Sequence, residues 1–287
     1  VGRKIKLFME YIMVGPIAQN VSLISFGNET LSAGDTNADY KNNSTFHHCN
    51  SVLFIFGKGY IPSDPNKIAA ADHPKKWFKR LKNEGCKKLR LIYQPSNDPN
   101  FPDYQLAGYV DGGGTWLIEA IYSEYSDFWK SQWEVNNRGD INNKIWSITY
   151  KKIAEKQSIV NFQEPLDNIK EELKNILTDI AKFTRDNNVH NWTGTNWLEQ
   201  FNTALKIFES SEPKEEYYHK DLLVNKNYSL LAQQIIFAAG KSWVFGGMGS
   251  WNDLGFEDNH IDNEYHYLTE KLYKITCRAI VAAVNSF

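Results

Sequence analysis

The stretch "VFGGMGSWNDLGFEDNH", residues 244–260, gathers the residue types that do chemistry. Gly246, Gly247 and Gly249 let a backbone approach a ligand or another backbone closely. Ser250, Asn252 and Asp253 set a hydroxyl, an amide and a carboxylate beside the indole of Trp251, and His260 and His266 follow. A hydrolase would take its catalytic groups from Ser250, Asp253, His260 and His266. A binding site would use Trp251, Asn252, Gly247 and Gly249. The same residues also suit a packed joint, in which short polar side chains bond local N–H groups and Trp251 lies buried against the final helix.

Several familiar motifs fail on spacing. Gly240-Lys241-Ser242 ends like a phosphate-binding loop, but position 235 is Ile where a glycine is required, and the segment closes a helix rather than opening one. Gly240 is therefore expected in the left-handed conformation just past a helix end. Ser250 is no nucleophile elbow, because Met248 and Asn252 stand where glycines are needed. Asp253, Glu257, Asp258, His260, Asp262, Glu264 and His266 could offer oxygen and imidazole ligands, yet neither the calcium-loop nor the helical two-histidine spacing is present. No metal and no cofactor is expected. His47, His48 and Cys49 suggest a Cys–His pair, but neighbouring strand residues point to opposite faces, so His48 and Cys49 share a pocket only where the strand bulges. Residues 75–90 hold eight basic residues and one acid, a stripe for an acidic partner; the rest of the chain lacks the basic residues that nucleic acid would need.

Composition bounds these readings. The chain has 287 residues, a net charge of −2 and 14% aromatic residues. It is long enough for a large core, and no global field draws it to nucleic acid or membrane. No apolar stretch reaches the ~20 residues of a membrane span. Cys49, Cys86 and Cys277 form no disulfide or metal pattern, which points to a reducing cytoplasm. Val1 is not an initiator, and Met9 is the expected native start. The six N-x-S/T sequons, at Asn20, Asn28, Asn42, Asn43, Asn191 and Asn227, arise by chance in so Asn-rich a chain.

The elements that must position these residues change character along the chain. Strands are expected at 20–26 and 50–60, separated by a polar loop, then a helix over 72–85 capped by Asp72 with Pro74 in its first turn, and a strand at 87–94. Residues 104–122 read as a hairpin turning at Asp111–Gly114, and a second hairpin turns at "NNRGDINN". After residue 163 apolar residues recur at helical spacing: 166, 169, 173, 176, 177, 180 and 183, then Trp197, Phe201, Leu205 and Phe208. A final helix carries Tyr265, Leu268, Leu272, Ile275, Ala279 and Ala283, with Asp262 as its cap. The expected fold is α+β, with a mixed, mostly antiparallel sheet in residues 1–160 and helices in residues 161–287, together one compact unit.

"WVFGGMGSWND" and the closing helix, about the last 60 residues, resemble the C-terminal signature of uncharacterised bacterial proteins. The resemblance implies a bacterial, cytoplasmic origin and a type of protein that includes immunity and other partner-binding proteins. It assigns no residue a role. The leading expectation is a binding protein for another protein, its aromatics serving as interface anchors. The alternatives are a hydrolase at the glycine turn and carbohydrate binding through exposed Trp and Asn. Joint exposure of Trp129, Trp133, Trp192, Trp197 and Trp251 beside a polar cleft would discriminate among them.

Overall fold

The computed structural model describes residues 13–33, 42–56, 70–98, 100–109, 111–159, 163–189 and 194–287. It is an α+β fold. The elements run α1 (Gly15–Ala33), β1 (Cys49–Ile55), β2 (Ala70–Ala71), α2 (Pro74–Asn83), β3 (Lys88–Gln94), α3 (Asp103–Leu106), β4 (Thr115–Ile121), β5 (Ser126–Val135), β6 (Trp146–Gln157), α4 (Leu166–Asp186), α5 (Trp197–Ile207), α6 (Leu230–Lys241) and α7 (Asn259–Asn285). The sheet order is β2-β1-β6-β5-β4-β3, antiparallel throughout except for the parallel β1–β6 pair. Helices fill the C-terminal half, where α4 packs on α5 and α7, and α6 packs on α7. The buried apolar side chains of both halves form one cluster.

One face of the sheet is the covered face, and pairing shows why. Trp133 lies opposite Ile148, and Ser131 opposite Tyr150, so Trp129, Ser131 and Trp133 share a face with Trp146, Ile148 and Tyr150. Phe54 of β1 stacks on Tyr150 at 5.1 Å between ring centroids and on Trp77 of α2 at 4.4 Å. The residues between them in sequence, such as Gln132, Glu134 and Lys151, are polar and face the other way.

Residues 20–26, expected as a strand, lie inside α1. Buried positions run without a break from Ile17 to Ser25 and again from Gly27 to Thr30, so this helix has no solvent stripe and shows no 3.6-residue period. A short apolar run of that kind looks the same whether it is a buried strand or a buried helix. Four of the polar residues that interrupt α1 make tertiary bonds. Gln19 accepts from the Tyr150 hydroxyl (2.9 Å), Ser25 accepts from the Val224 N–H (2.8 Å), and Glu29 takes Lys226 at 2.6 Å. Asn28 accepts from Leu89 N–H (2.7 Å) and donates to Leu89 C=O (2.9 Å). Asn285 of α7 does the same for Leu91 (2.7 and 2.9 Å). Two side-chain amides thus close the outer edge of β3, which would otherwise present unpaired backbone groups. Of the sequon asparagines, Asn20, Asn28 and Asn43 are buried.

Three further expectations are corrected. Residues 104–109 are not a strand: α3 occupies 103–106, and the partners of β4 are β3 and β5. A Cβ on Gly108 would sit 2.1 Å from the Gly246 carbonyl oxygen, so this segment is pressed onto the glycine turn instead of pairing with β4. Asp111, Gly113 and Gly114 do take positive φ (60°, 74° and 82°), but the turn leads from helix into strand. Gly240 lies within α6, which runs on to Lys241, and its φ is not positive; a Cβ there would come 2.9 Å from the Tyr217 ring, so close packing explains the glycine. The caps also shift by a few residues: His73 caps α2, while Asp72 pairs with Lys76, and Asp258 caps α7, while Asp262 accepts from Phe256 N–H. The 50–60 strand, the 87–94 strand, the second hairpin and helices α4 to α7 lie where the sequence puts them, though residues 57–60 fall outside the described residues.

Candidate functional site

The glycine turn is closed on itself. Asn252 Oδ1 accepts from Gly246 N–H (3.0 Å) and from the Ser250 hydroxyl, and Asp253 accepts from Gly249 N–H (2.6 Å). Gly249 has a φ of 86°, which favours glycine. Trp251 is fully buried among the rings of Trp197, Phe201 and Tyr265. Its indole N–H donates to Thr269 Oγ1 (2.9 Å), and its carbonyl accepts from the Tyr265 hydroxyl (2.6 Å). Gly247 and Met248, at the tip, and Asp253, at the end of the turn, are exposed. His260 lies exposed in the first turn of α7. His266 meets Asp262 at 3.4 Å through Nε2 and the Tyr104 hydroxyl at 3.0 Å through Nδ1. Among the described residues, no hydrogen bond joins Ser250 or Asp253 to either histidine.

Two cavities flank the start of α1, and both are bordered by Val14 and Trp133. The smaller, about 120 Å³, lies between α1 and the 107–114 turn. The rings of Tyr109, Trp116, Trp133, Trp243 and Tyr273 line it together with Val14, Pro16 and Ile17 of the α1 start, and the partly exposed Asp111–Lys130 ion pair (3.5 Å) lies on its border. The larger, about 280 Å³, lies on the other side of Trp133. Trp146, Tyr218, His48, His219, Ser44 and Cys49 contribute to it, and among the described residues no lysine, arginine, aspartate or glutamate lines it.

Hydrogen bonding fixes both imidazoles in the larger cavity. Asp221 accepts from the Ser44 N–H (2.7 Å) and from the Ser44 hydroxyl. With its own proton given to the carboxylate, Ser44 Oγ can only accept from His219 Nδ1, 2.6 Å away. His219 therefore carries its proton on Nδ1 and presents a bare lone pair at Nε2. His48 is held the same way, since its Nδ1 faces the Asn143 carbonyl (3.2 Å), which can only accept. His219 is 6% exposed, and burial pushes its pKa down to about 4, so it is neutral at pH 7. Its Nε2 has no hydrogen-bond partner among the described residues. The order Asp–Ser–His is not that of a hydrolytic triad: the carboxylate engages the serine rather than orienting the imidazole. The nearby backbone N–H groups of Ser44, Thr45 and Phe46 are already bonded, which leaves none of them as an oxyanion donor.

His48 and Cys49 do border the same cavity; His48 lies in the turn before β1, where strand alternation does not apply. Cys49 is nevertheless inert: burial pushes its thiol up to about 11, and its sulfur accepts from Gln19 Nε2 (3.4 Å). Among the described residues no three ligating side chains come together as a metal site. Much of the basic stripe is spent within the molecule: Lys76 on Asp72, Arg80 on Glu84, Lys82 on the Thr30 carbonyl, Lys88 on the C-terminal carbonyls and Arg90 on Glu119. Trp129, Trp197 and Trp251 are buried, Trp133 is half-buried, and Trp192 falls outside the described residues. Trp146, outside that set of five, is half-buried beside Trp133 at 5.8 Å. Nothing in the linear sequence marks His219 or Ser44, which lie 175 residues apart in polar loops. No helix among the described residues is long and apolar enough to cross a membrane. Comparison of the chain with family models, with curated proteins and with solved structures gives no match.

Proposed function

We propose that the chain is a binding protein for another protein, which inserts one apolar, ring-sized side chain into the smaller cavity. The observation that carries this is a ring-lined socket beside exposed apolar side chains. Tyr109, on the socket's border, is 69% exposed. Met248 is 93% exposed at the tip of the glycine turn, which touches the Tyr109 segment through the Gly108–Gly246 backbone contact. Cavities of roughly 150 Å³ hold a single benzene-sized ring, so about 120 Å³ suits one anchor side chain. Interfaces draw most of their energy from a few such anchors, and the Asp111–Lys130 pair supplies a polar rim. The glycine turn then serves binding only by presenting Met248, while Trp251 and Asn252 hold its shape.

Peptides selected from a random library on the immobilised protein test this. They should share an aromatic or large aliphatic residue, and the double variant Tyr109→Ala, Met248→Ser should bind them at least about tenfold more weakly. Peptides that bind wild type and double variant equally would remove the socket from the reading.

A further inference from the structure

We infer that the larger cavity is a binding site for a neutral sugar, with His219 Nε2 accepting a hydrogen bond from a sugar hydroxyl. The site is distinct from the socket proposed for a protein partner.

The first ground is an unused acceptor. His219 is largely buried and its Nε2 has no partner among the described residues, and a ligand donor would supply one. Ser44 and Asp221 hold the ring in the one tautomer that aims an acceptor, not a donor, into the cavity. His48, on the same lining, is held by its Nδ1 on the Asn143 carbonyl, which leaves its Nε2 for a ligand hydroxyl. A ligand matched to both brings O–H or N–H donors.

The second ground is charge. Among the described residues the lining holds no lysine, arginine, aspartate or glutamate, and at pH 7 burial leaves His219 neutral. No lysine or arginine of the described lining meets a phosphate or carboxylate, and the Asp221 carboxylate behind Ser44 is already engaged by the Ser44 N–H and hydroxyl, so a neutral ligand suits the cavity best.

The third ground is shape. Trp133 and Trp146 stand 5.8 Å apart, edge to face, and Tyr218 adds a half-exposed ring. Flat aromatic walls with polar groups at their border suit a ligand that is apolar on its face and polar at its edge. A pyranose ring has that form, with C–H groups on its faces and hydroxyl groups around it. A cavity of about 280 Å³ lies just below the usual range of small-molecule sites, the size for one sugar unit rather than a long glycan.

The experiment is titration of ¹⁵N-labelled protein with methyl α-glucoside, methyl β-galactoside and N-acetylglucosamine, followed by NMR and by calorimetry. At least one should bind saturably and shift the resonances of His219, Trp146 and Tyr218. His219→Asn keeps an N–H close to the position of Nδ1, preserving the bond to Ser44, but lacks an acceptor at Nε2. It should bind about tenfold more weakly, the effect of one lost hydrogen bond. His48→Asn and Trp146→Ala should each weaken binding several-fold, and they carry the test if His219→Asn fails to fold. Tyr109→Ala, Met248→Ser should weaken peptide binding and leave sugar affinity unchanged, so peptide binding that survives in this variant strikes the partner reading alone, and sugar binding that is lost with it strikes this one alone. Absence of saturation up to about 10 mM for every probe would overturn the inference. So would equal binding by wild type, His48→Asn and Trp146→Ala.

Discussion

The glycine turn at 246–253 and the cavity around His219 invert each other's appearance. In the turn, a conspicuous run of glycines and polar residues spends its hydrogen bonds on itself: Asn252 on Gly246 and Ser250, Asp253 on Gly249, Trp251 on Thr269 and Tyr265. At the cavity, residues from loops distant in sequence leave one imidazole nitrogen unmatched. Polar residues close together in sequence can satisfy one another locally, and a packed joint needs them to do so. A site is better marked by polar groups that the fold buries and then leaves without partners. Richness in chemical residue types is therefore weaker evidence for a site than an unpaired polar atom facing a cavity.

The largest effect that would break this comparison lies in the turn. Trp251→Ala should destabilise the protein by about 3–5 kcal/mol, since the indole is fully buried and its removal opens a cavity between Trp197, Phe201 and Tyr265. Urea unfolding measures it. A loss under about 1 kcal/mol would mean that the ring is not part of the core, and the turn would return as a candidate for ligand contact.

An intermediate effect sharpens the cavity side. The pKa of His219 is near 4 in the folded protein, lowered mainly by burial; Asp221 opposes the shift, while His47 and His48 add to it. In the unfolded chain the ordinary value is about 6.5. Below that the unfolded state takes up a proton that the folded state refuses, so the stability contributed by neutral His219 is complete above pH 6.5 and is lost as pH falls toward 4. Between about pH 6 and 4 the slope should be about 1.4 kcal/mol per pH unit from this residue. His219→Asn should lack that share of the decline while other groups titrate as before. Parallel stability–pH curves for the two proteins would show that His219 is not held neutral, and the acceptor facing the cavity would lose its basis.

The legibility of the fold follows from exposure. Helices α4, α5 and α7 each keep one face in water, so their apolar residues recur at a readable period. In α1 that contrast is absent, because Ile17 to Ser25 are all buried and its polar residues point inward to Tyr150, Leu89 and Val224. The 104–109 error has a different origin, since the Gly108–Gly246 contact that overrides hairpin pairing joins segments 138 residues apart (246 − 108). The joint at 246–253 was visible in its glycines because local backbone demands are written locally. His48 and Cys49 stand out in the sequence, but they share a cavity because β1 begins only at Cys49, not because the strand bulges between them. His219 was not noticed, because its significance lies in Ser44, Asp221 and a cavity that only tertiary structure assembles.

The smallest expected effect separates the two regions most finely. Asp253 is exposed, and its one hydrogen bond from the described residues is that from Gly249 N–H. Asp253→Asn keeps a carbonyl oxygen in that position and loses only the charge, which water already screens. The change should be about 0.5 kcal/mol or less, a shift of roughly 1–2 °C in melting temperature for a chain of this size. Sugar binding and peptide binding should both be unaffected. If the turn were instead a hydrolytic centre, Asp253 would have to orient or accept a proton from a histidine, yet His266 is engaged by Tyr104 and Asp262, and neither His260 nor His266 bonds the turn. A well-folded Asp253→Asn protein that lost a measurable esterase or amidase activity of the wild type would place chemistry in the turn after all. A drop in melting temperature above about 4 °C would instead show that the charge itself holds the joint.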